Sequence, residues 1–419
     1  MPDDLVTEPS WVERTNQFMP PIRTLQRPEL KSCSEPTADA FARNPDFRQR
    51  RNRAIAAARR LTGQVDALLF RDPHDIHYLT GTREGISWLV LHDDSSFAIT
   101  RHMLVDDVRS QAVDCEILLA SARSTDYPDV EQFVISELSR RGLAHGAIDP
   151  ATLTAKTGFG VNHHATAAGI EIHFVSGLLA GVRAVKDSYE LALTRRCVAI
   201  AEQAFTDLLE NGAGQLIGRS ERDLADELET RMWVLGADRQ GFPETGIIVA
   251  GGPNSAKPHH VPGKRRVMAG ESLLIDWGAE LAGYRSDMTR TVFPGGVPEF
   301  ARQAYPTVER ALLRAAGHLR AGASMGEIDR IARETVTDAG FPEFHYGVGH
   351  GVGLDIHEAP WLRAHSTESC EADMLTTIEP GIYLPGIGGI RIENLYRVTN
   401  DGNECLGNLP TGMAAMILE

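Results

Sequence analysis

Two segments in the second half of the chain alternate apolar, β-prone runs with glycine-rich turns. They span residues 270–291 and 372–398, and their carboxylates are Asp276 and Asp287 in the first and Glu379 and Glu393 in the second. In each segment one apolar run ends at a carboxylate, and a second run carries another carboxylate beyond the turn. This pattern predicts two β-hairpins. Because neighbouring strands lie about 5 Å apart, the paired carboxylates of each hairpin can face each other.

Short apolar runs also alternate with helical stretches between residues 65 and 176. The predicted strands are V-D-A-L-L-F, S-W-L-V-L-H, S-F-A-I-T and E-I-L-L-A, and V-E-Q-F-V-I-S-E-L is typical of a helix. A further helix is predicted to begin near Asp46, because apolar residues follow it at helical spacing. Residues 46–176 therefore predict an α/β domain with a mixed sheet.

Residues 177–419 contain an internal repeat. Each half has a pair of helices, the string G-F-P, a strand with a histidine, and one of the two carboxylate segments. Capping-box spacings open three of the helices, at Asp187 with Glu190, Ser220 with Asp223, and Ser324 with Glu327. Another helix is predicted over residues 311–319, with Pro306 as its start or a kink. The repeat predicts two αβ halves related by a pseudo-twofold axis.

Composition and charge narrow the class of protein. Of the 419 residues 42% are hydrophobic and 24% charged, which is typical of a globular protein of two or three domains. The net charge of −15 argues against nucleic acid and anionic membranes as partners. No membrane-length apolar run and no signal-peptide pattern occur, and the five scattered cysteines indicate reduced thiols. We therefore expect a cytoplasmic protein, with proline-rich residues 1–45 as an extension along the body or partly disordered.

Four carboxylates meeting inside a sheet would repel one another strongly unless a positive charge lay among them. A pair of divalent cations meets this requirement with the fewest groups. His350, in the string H-Y-G-V-G-H-G-V-G-L-D-I-H-E, can supply a nitrogen ligand. Ligands of oxygen and nitrogen without cysteine suit Mn²⁺, Co²⁺, Fe²⁺ or Zn²⁺.

The strings G-V-G-H-G-V-G-L-D-I-H-E, T-I-E-P-G-I-Y and G-G-I-R-I-E resemble the pita-bread metallopeptidases, most closely the Xaa-Pro dipeptidase and aminopeptidase P branch. D-P-H-D-I-H-Y-L-T-G and G-L-L-A-G-V-R-A-V-K-D resemble the N-terminal domain of creatinase and prolidase relatives. The resemblance implies an α+β fold with a pita-bread catalytic domain over residues 177–419. It also implies a homodimer with two metal ions per chain, Mn²⁺ foremost, that cleaves a peptide or small amide.

The resemblance further assigns roles to single residues. It makes Asp287 and Glu393 bridge the ions, Asp276 chelate one ion, and His350 with Glu379 complete the other. It makes Glu379 a proton shuttle as well, and places His259 and His357 against the substrate and its tetrahedral oxyanion. Arg391 resembles an arginine that pairs with the bridging acid and orients it.

One departure from the family bears on the substrate. Prolidases often carry an arginine just after H-E-x-P, where it can hold the carboxylate of a dipeptide, but this chain has Trp361 there and Arg363 two residues later. We therefore expect Xaa-Pro-Xaa tripeptides to be cleaved at least as well as dipeptides.

The sequence leaves open two alternative functions and one alternative metal site. A non-peptidase amidohydrolase, creatinase-like or acting on cyclic amides, could use the same site, although creatinases do not keep the five ligands. A binding protein on an inactive peptidase fold would be expected to have lost ligands. The pairs His74 with His77 and His163 with His164 could form a separate metal site, but no carboxylate or cysteine cluster accompanies them, so we interpret them as structural.

Overall fold

The computed structural model describes residues 45–93, 95–120, 129–243 and 245–419. The predicted N-terminal extension, residues 1–45, lies outside the described residues except for Pro45. The first part of the chain forms α1 (Phe47–Thr62), β1 (Ala67–Phe70), α2 (Pro73–Thr80), β2 (Ile86–His92), β3 (Ser95–Thr100), α3 (Val105–Gln111), β4 (Glu116–Leu119), α4 (Val130–Arg140), β5 (His145–Ile148), α5 (Ala155–Ala168), β6 (Glu171–Phe174) and α6 (Ala180–Ala184).

The second part has four helices and two groups of strands. They are α7 (Ser188–Leu209), α8 (Glu221–Val234), β7 (Arg239–Gln240), β8 (Ile248–Gly251), β9 (Leu273–Trp277), β10 (Ala279–Leu281), β11 (Tyr284–Arg285), β12 (Met288–Pro294), α9 (Glu299–Ala316), α10 (Met325–Thr337), β13 (Gly349–Gly351), β14 (Glu358–Leu362), β15 (Leu375–Ile378), β16 (Gly381–Leu384), β17 (Gly388–Arg391), β18 (Asn394–Val398), β19 (Asn403–Cys405) and β20 (Ile417–Leu418). Across the described ranges, every helix is too short or too polar to cross a membrane.

The N-terminal unit is built on one six-stranded mixed sheet, in the order β4-β3-β2-β1-β5-β6. Successive residues of β1 point to opposite faces, as the pleat requires, so that Leu68 and Leu69 belong to two separate apolar clusters. The predicted strands β1 to β4 and the helix α4 are present, and α1 begins after its N-cap Asp46. Strands β5 and β6 were not predicted, because their sequences, H-G-A-I and E-I-H-F, are short and half polar. The predicted boundary after residue 176 falls between β6 and α6 and stays a prediction.

Two hairpins carry the carboxylates in the second unit. Strand β9 pairs with β12, with Asp276 opposite Thr289, and β15 pairs with β18, with Ile378 opposite Asn394. A second small ribbon, β16 with β17, extends the latter hairpin. The two halves meet where the Glu393 backbone N–H donates to the Thr289 carbonyl oxygen at 3.1 Å. We call this junction the seam.

The helices cover these strands, and their N-caps are those that the sequence predicts. Asp187 and Ser220 form reciprocal capping boxes, and the Ser324 side chain accepts from the Glu327 N–H. Of the two roles predicted for Pro306, that of a helix start is wrong, because α9 begins at Glu299 and Pro306 lies in its interior. A continuous buried face from Phe300 to Ala316 packs this helix onto the core, and that packing outweighs the one hydrogen bond that proline removes.

Candidate metal centre

Five side chains converge where the two hairpins meet. Asp276 lies in β9, Asp287 immediately precedes β12, His350 is the centre of β13, Glu379 follows β15, and Glu393 lies between β17 and β18. All these strands belong to the buried core, and the carboxylates of Asp287 and Glu393 are almost fully buried. The backbone of both halves therefore fixes the five side chains.

The ligand atoms are close enough to share metal ions. One oxygen each from Asp276, Asp287 and Glu393 lie within 4.8 Å of one another. His350, Glu379 and Glu393 form a second group at the same separation. Glu393 belongs to both groups, which is the arrangement expected of a residue that contacts two ions.

Burial and mutual repulsion disfavour the charged carboxylates. Burial, the nearby Glu393 and the other acids raise the pKa of Asp287 well above its usual value, and burial followed by Glu379 does the same for Glu393. The pKa of Asp276 is also raised by burial, against the nearby Arg391. Within the described chain, Asp276 Oδ1 and Glu393 Oε1 are buried without a hydrogen-bond partner. Unpartnered buried oxygens among repelling acids fit divalent cations, which would neutralise and coordinate them.

Hydrogen bonding orients the ring of His350. Its Nδ1 lies 3.1 Å from the Gly351 carbonyl oxygen, which can only accept, so Nδ1 carries the proton. The other ring nitrogen, Nε2, faces the acids, 3.3 Å from Glu379 Oε1. The glycines on either side of His350 are required by close backbone approach, because a Cβ at Gly349 would lie 2.0 Å from the Thr377 carbonyl oxygen.

Arg391 contacts a different carboxylate from the one that we expected. Its Nη2 donates to Asp276 Oδ2 at 2.5 Å, and it reaches Glu393 only through Thr289, whose hydroxyl accepts from Arg391 Nε and donates to Glu393 Oε2 at 2.7 Å. The predicted direct pairing of Arg391 with the bridging acid is therefore wrong, because its direct carboxylate partner is Asp276. Arg391 and Glu393 are two residues apart, but the Thr289 side chain of β12 lies between their side chains.

The two predicted substrate histidines lie on the surface of the cleft. His357 stands edge-on to His350, with ring centroids 4.4 Å apart, and one of its ring nitrogens lies within 4.8 Å of ligand atoms of Asp287 and His350. Partial desolvation in the cleft, reinforced by His350, lowers the pKa of His357 to about 4. His259 lines the same cleft, whereas its neighbour His260 turns away and pairs with buried Glu221 at 2.8 Å.

A cavity of about 370 Å³ opens over the centre, within the range of small-ligand sites. Its lining includes the five candidate ligands, both cleft histidines, Trp361 and Arg363. The guanidinium carbon of Arg363 lies 4.0 Å from the centroid of the Trp361 ring. The sequence position of the missing arginine is filled by Trp361, yet Arg363 brings a guanidinium to the same cavity.

The other histidine pairs lie in different surroundings. His74 pairs with Asp355 at 2.7 Å, and the His77 ring lies 3.1 Å from the Ala282 carbonyl oxygen, with its pKa lowered to about 4 chiefly by burial. His164 lies 3.3 Å from Asp129. Across residues 45–93, 95–120, 129–243 and 245–419, neither pair gathers a third ligand.

Comparison with known proteins identifies the two units. The model of metallopeptidase family M24 matches residues 192–400, and that of the creatinase/prolidase N-terminal domain matches residues 50–185. An uncharacterized peptidase of Bacillus subtilis, YqhT, is 30% identical over 357 residues, which cover 84% of this chain and 97% of that protein. The chain belongs to metallopeptidase family M24.

Solved structures agree with this assignment to M24. An Xaa-Pro dipeptidase from Bacillus anthracis superposes with a TM-score of 0.79 at 31% identity, covering 90% of this chain and all of that one. An X-Pro aminopeptidase from Thermotoga maritima gives a TM-score of 0.74 at 26% identity, covering 85% and 98%. The predicted family, the pita-bread fold and the class of metal-dependent peptidase are confirmed.

Several residues at the M24 centre are missing from the sequence prediction. Tyr346 lies in the cavity wall and shares a 2.7 Å hydrogen bond with Tyr383, which in turn accepts from Arg391. Thr289 follows Asp287 by two residues, on the same face of its strand. Phe242 lines the cavity and belongs to the first G-F-P string. That repeated string and the alternation next to Asp287 are signals that could have identified Phe242 and Thr289.

Removing metal should expose the repulsion among the acids. The folded state raises the pKa of Asp287, so its ionised form destabilises the metal-free protein above the pKa of the unfolded chain. We expect Asp287→Asn to raise the thermal midpoint of the chelated protein at neutral pH and to lower that of the metal-loaded protein. The exposed Asp106→Asn is the control and should change neither midpoint. A lower midpoint for chelated Asp287→Asn would contradict the repulsion.

Proposed function

We propose that this M24 peptidase hydrolyses the peptide bond before proline, in substrates of the Xaa-Pro type. The observation that carries the proposal is the buried carboxylate cluster, with its unpartnered oxygens, below a cavity that two histidines face. The preference for proline comes from the relatives, among them the Xaa-Pro dipeptidase of Bacillus anthracis and the X-Pro aminopeptidase of Thermotoga maritima.

Divalent metal ions are implied by the family, and we propose two per chain, with Mn²⁺ foremost and Co²⁺, Zn²⁺ or Fe²⁺ as alternatives. Asp276, Asp287 and Glu393 would hold one ion, and His350, Glu379 and Glu393 the other, with Asp287 also shared. When bound, such ions lower the pKa of a water molecule and polarise the scissile carbonyl. Arg391 and Thr289 keep Asp276 and Glu393 in orientation through the hydrogen bonds described above.

The remaining groups act on the substrate. Glu379 lies at the cavity wall and is less buried than Asp287 and Glu393, so it is placed to accept a proton from the attacking water and deliver it to the leaving nitrogen. His357 and His259 offer ring N–H groups to the carbonyl oxygen as negative charge develops there. Trp361 provides a flat apolar wall for the proline ring.

Arg363 supplies a charge for the carboxylate end of the substrate. Among the described residues its guanidinium has no acidic partner, and it is held over Trp361. A dipeptide carboxylate can therefore be bound, despite the tryptophan at the usual arginine position.

We further propose a cytoplasmic homodimer, as the cysteine usage and the resemblance imply.

Metal analysis tests the shared carboxylates. We expect two tightly held ions per chain in the metal-replete wild type, and a loss of more than one ion in Glu393→Ala, because that carboxylate belongs to both ligand groups. Asp276→Ala is the matched comparison and should lose about one ion. One ion or none in the wild type, or equal losses in the two variants, would contradict a dinuclear centre.

His357→Ala tests the electrostatic role of the cleft histidine. We expect kcat to fall on the order of 10²–10³-fold, the typical cost of losing one transition-state donor, while two ions stay bound. His260→Ala, whose imidazole points to Glu221, is the neighbouring control and should lower kcat far less. Metal content and single-turnover rates are the measurements. An unchanged kcat in His357→Ala would make this residue structural.

Substrate profiling tests the proline preference and the function of Arg363. The metal-loaded protein should cleave both Xaa-Pro dipeptides and Xaa-Pro-Xaa tripeptides, because Arg363 can hold the carboxylate of either. Arg363→Ala should raise KM for the dipeptide about tenfold, the worth of one charge-assisted hydrogen bond, and leave a C-terminally amidated peptide unaffected. Cleavage of cyclic or side-chain amides without any Xaa-Pro cleavage would instead establish the amidohydrolase alternative.

A further inference from the structure

The loop that carries His357 is held from outside the cavity by a largely buried group of charged residues. We call this group the interdomain ion cluster, and its members are Asp75, Arg183, Lys186, Asp355 and Glu358. Asp75 lies in α2 of the N-terminal unit, Arg183 in α6, and Lys186 just before α7. Asp355 and Glu358 lie two residues before and one residue after His357.

The Arg183 guanidinium joins Asp75 of the N-terminal unit to the loop, in addition to the pair of His74 with Asp355 described above. Arg183 Nη1 donates to Asp75 Oδ1 at 2.9 Å, and Nη2 donates to Asp355 Oδ2 at 2.6 Å and to Glu358 Oε2 at 2.5 Å. The side chain of Lys186 is 0% exposed and donates to Glu358 Oε1 at 2.6 Å. Both oxygens of Glu358 are therefore held by cations, which keep its pKa below the usual value although it is buried.

The same carboxylate closes the loop on itself. The Asp355 backbone N–H donates to Glu358 Oε2 at 3.3 Å, and Glu358 lies opposite Gly351, the residue after His350. Gly353 packs directly on this carboxylate, since a Cβ there would lie 2.4 Å from Glu358 Oε1. A shift of Glu358 would therefore move the whole turn from residue 353 to residue 358.

His357 itself has little else to hold it. Its ring lies on the cleft surface in edge contact with His350, and the side chain forms no hydrogen bond with another described residue. The backbone of the loop consequently sets where the imidazole points. Buried ion pairs give little net stability compared with apolar packing of the same volume, so stability alone is a weak reason for five charged groups here.

We propose that Arg183 and Lys186 are positioning residues for His357, and that the N-terminal unit thereby assists catalysis without touching the substrate. The proposal rests on the function proposed above for His357. The cations fix Asp355 and Glu358, those two side chains fix the loop, and the loop aims the imidazole at the carbonyl oxygen. A displacement of about 1 Å in such a group can cost up to about a hundredfold in rate.

A double-mutant cycle separates positioning from stability. In the wild-type background Arg183→Lys, whose single ammonium cannot span three carboxylates, should lower kcat on the order of tenfold to a hundredfold with KM changed less than about twofold. In the His357→Ala background the same substitution should lower kcat less than about twofold, because no imidazole remains to be aimed. Bound metal should be unchanged throughout.

Arg50→Lys is the matched control. Arg50 is also buried between the two units and pairs with Asp187 and Glu190, but it has no ion pair with the 353–358 loop. It should lower the thermal midpoint and leave kcat unchanged. Amide hydrogen exchange of residues 353–358 should rise in Arg183→Lys and not in Arg50→Lys. If Arg183→Lys does not fold, Lys186→Met replaces it, with the same expected cycle.

The outcomes distinguish the two proposals. Equal kcat losses from Arg183→Lys in both backgrounds, loss of bound metal, or no loss in the wild-type background would overturn the positioning role while His357 keeps its own. An unchanged kcat in His357→Ala would overturn the function proposed for His357, and the positioning role with it. A loss confined to the background that has His357 supports the proposal.

Discussion

The repulsion among four clustered carboxylates, three of them buried, is the constraint on which the rest of the catalytic unit depends. Asp276, Asp287, Glu379 and Glu393 are gathered where water can do little to screen them. Such a cluster persists only if the surrounding backbone prevents the side chains from moving apart and a counter-charge is present. The hairpins meet the first condition and Arg391 contributes to the second, with divalent ions implied by the family completing it.

Both main-chain and side-chain contacts hold the carboxylates of the cluster in place. The seam places Glu393 beside Thr289 by a backbone hydrogen bond, so the two hairpins cannot slide past each other without breaking it. Glycines flank His350 because two backbones approach there too closely for any side chain. Polar partners then set finer orientation, as Thr289 does for Glu393 and the Gly351 carbonyl does for His350. These contacts involve the protein alone and therefore position the ligands without help from a metal.

Local signals in the sequence predicted much of this arrangement. Alternating apolar runs and capping boxes encode strands and helix starts through neighbouring residues, which is why β1 to β4 and the caps of α7, α8 and α10 were predictable. The carboxylates stood out because ionisable residues ending apolar runs conflict with burial. Proline disfavours the interior of a helix, so the sequence suggested that a helix starts or kinks at Pro306. Packing along α9 outweighs this local penalty, and residue spacing alone does not reveal that packing.

The parts that the sequence could not give are those that depend on contacts between distant segments. Arg391 pairs directly with Asp276, 115 positions earlier, whereas the resemblance to the family assigned it to the bridging acid. Arg363 reaches the cavity because β14 directs it there, although its sequence position differs from that of the family arginine. The interdomain ion cluster joins residues 75, 183 and 358, and no local pattern marks it.

The seam has a consequence for how such a protein could have arisen. Each half contributes two of the four carboxylates, and the group of Asp276, Asp287 and Glu393 combines residues from both. A shorter ancestor carrying one half would have held only two of the four acids. It could have completed the centre only by associating with a second copy of itself. Joining the copies in one chain would then have freed each half to diverge, so that among the described residues one half now adds His350 to these groups while the other adds carboxylates alone.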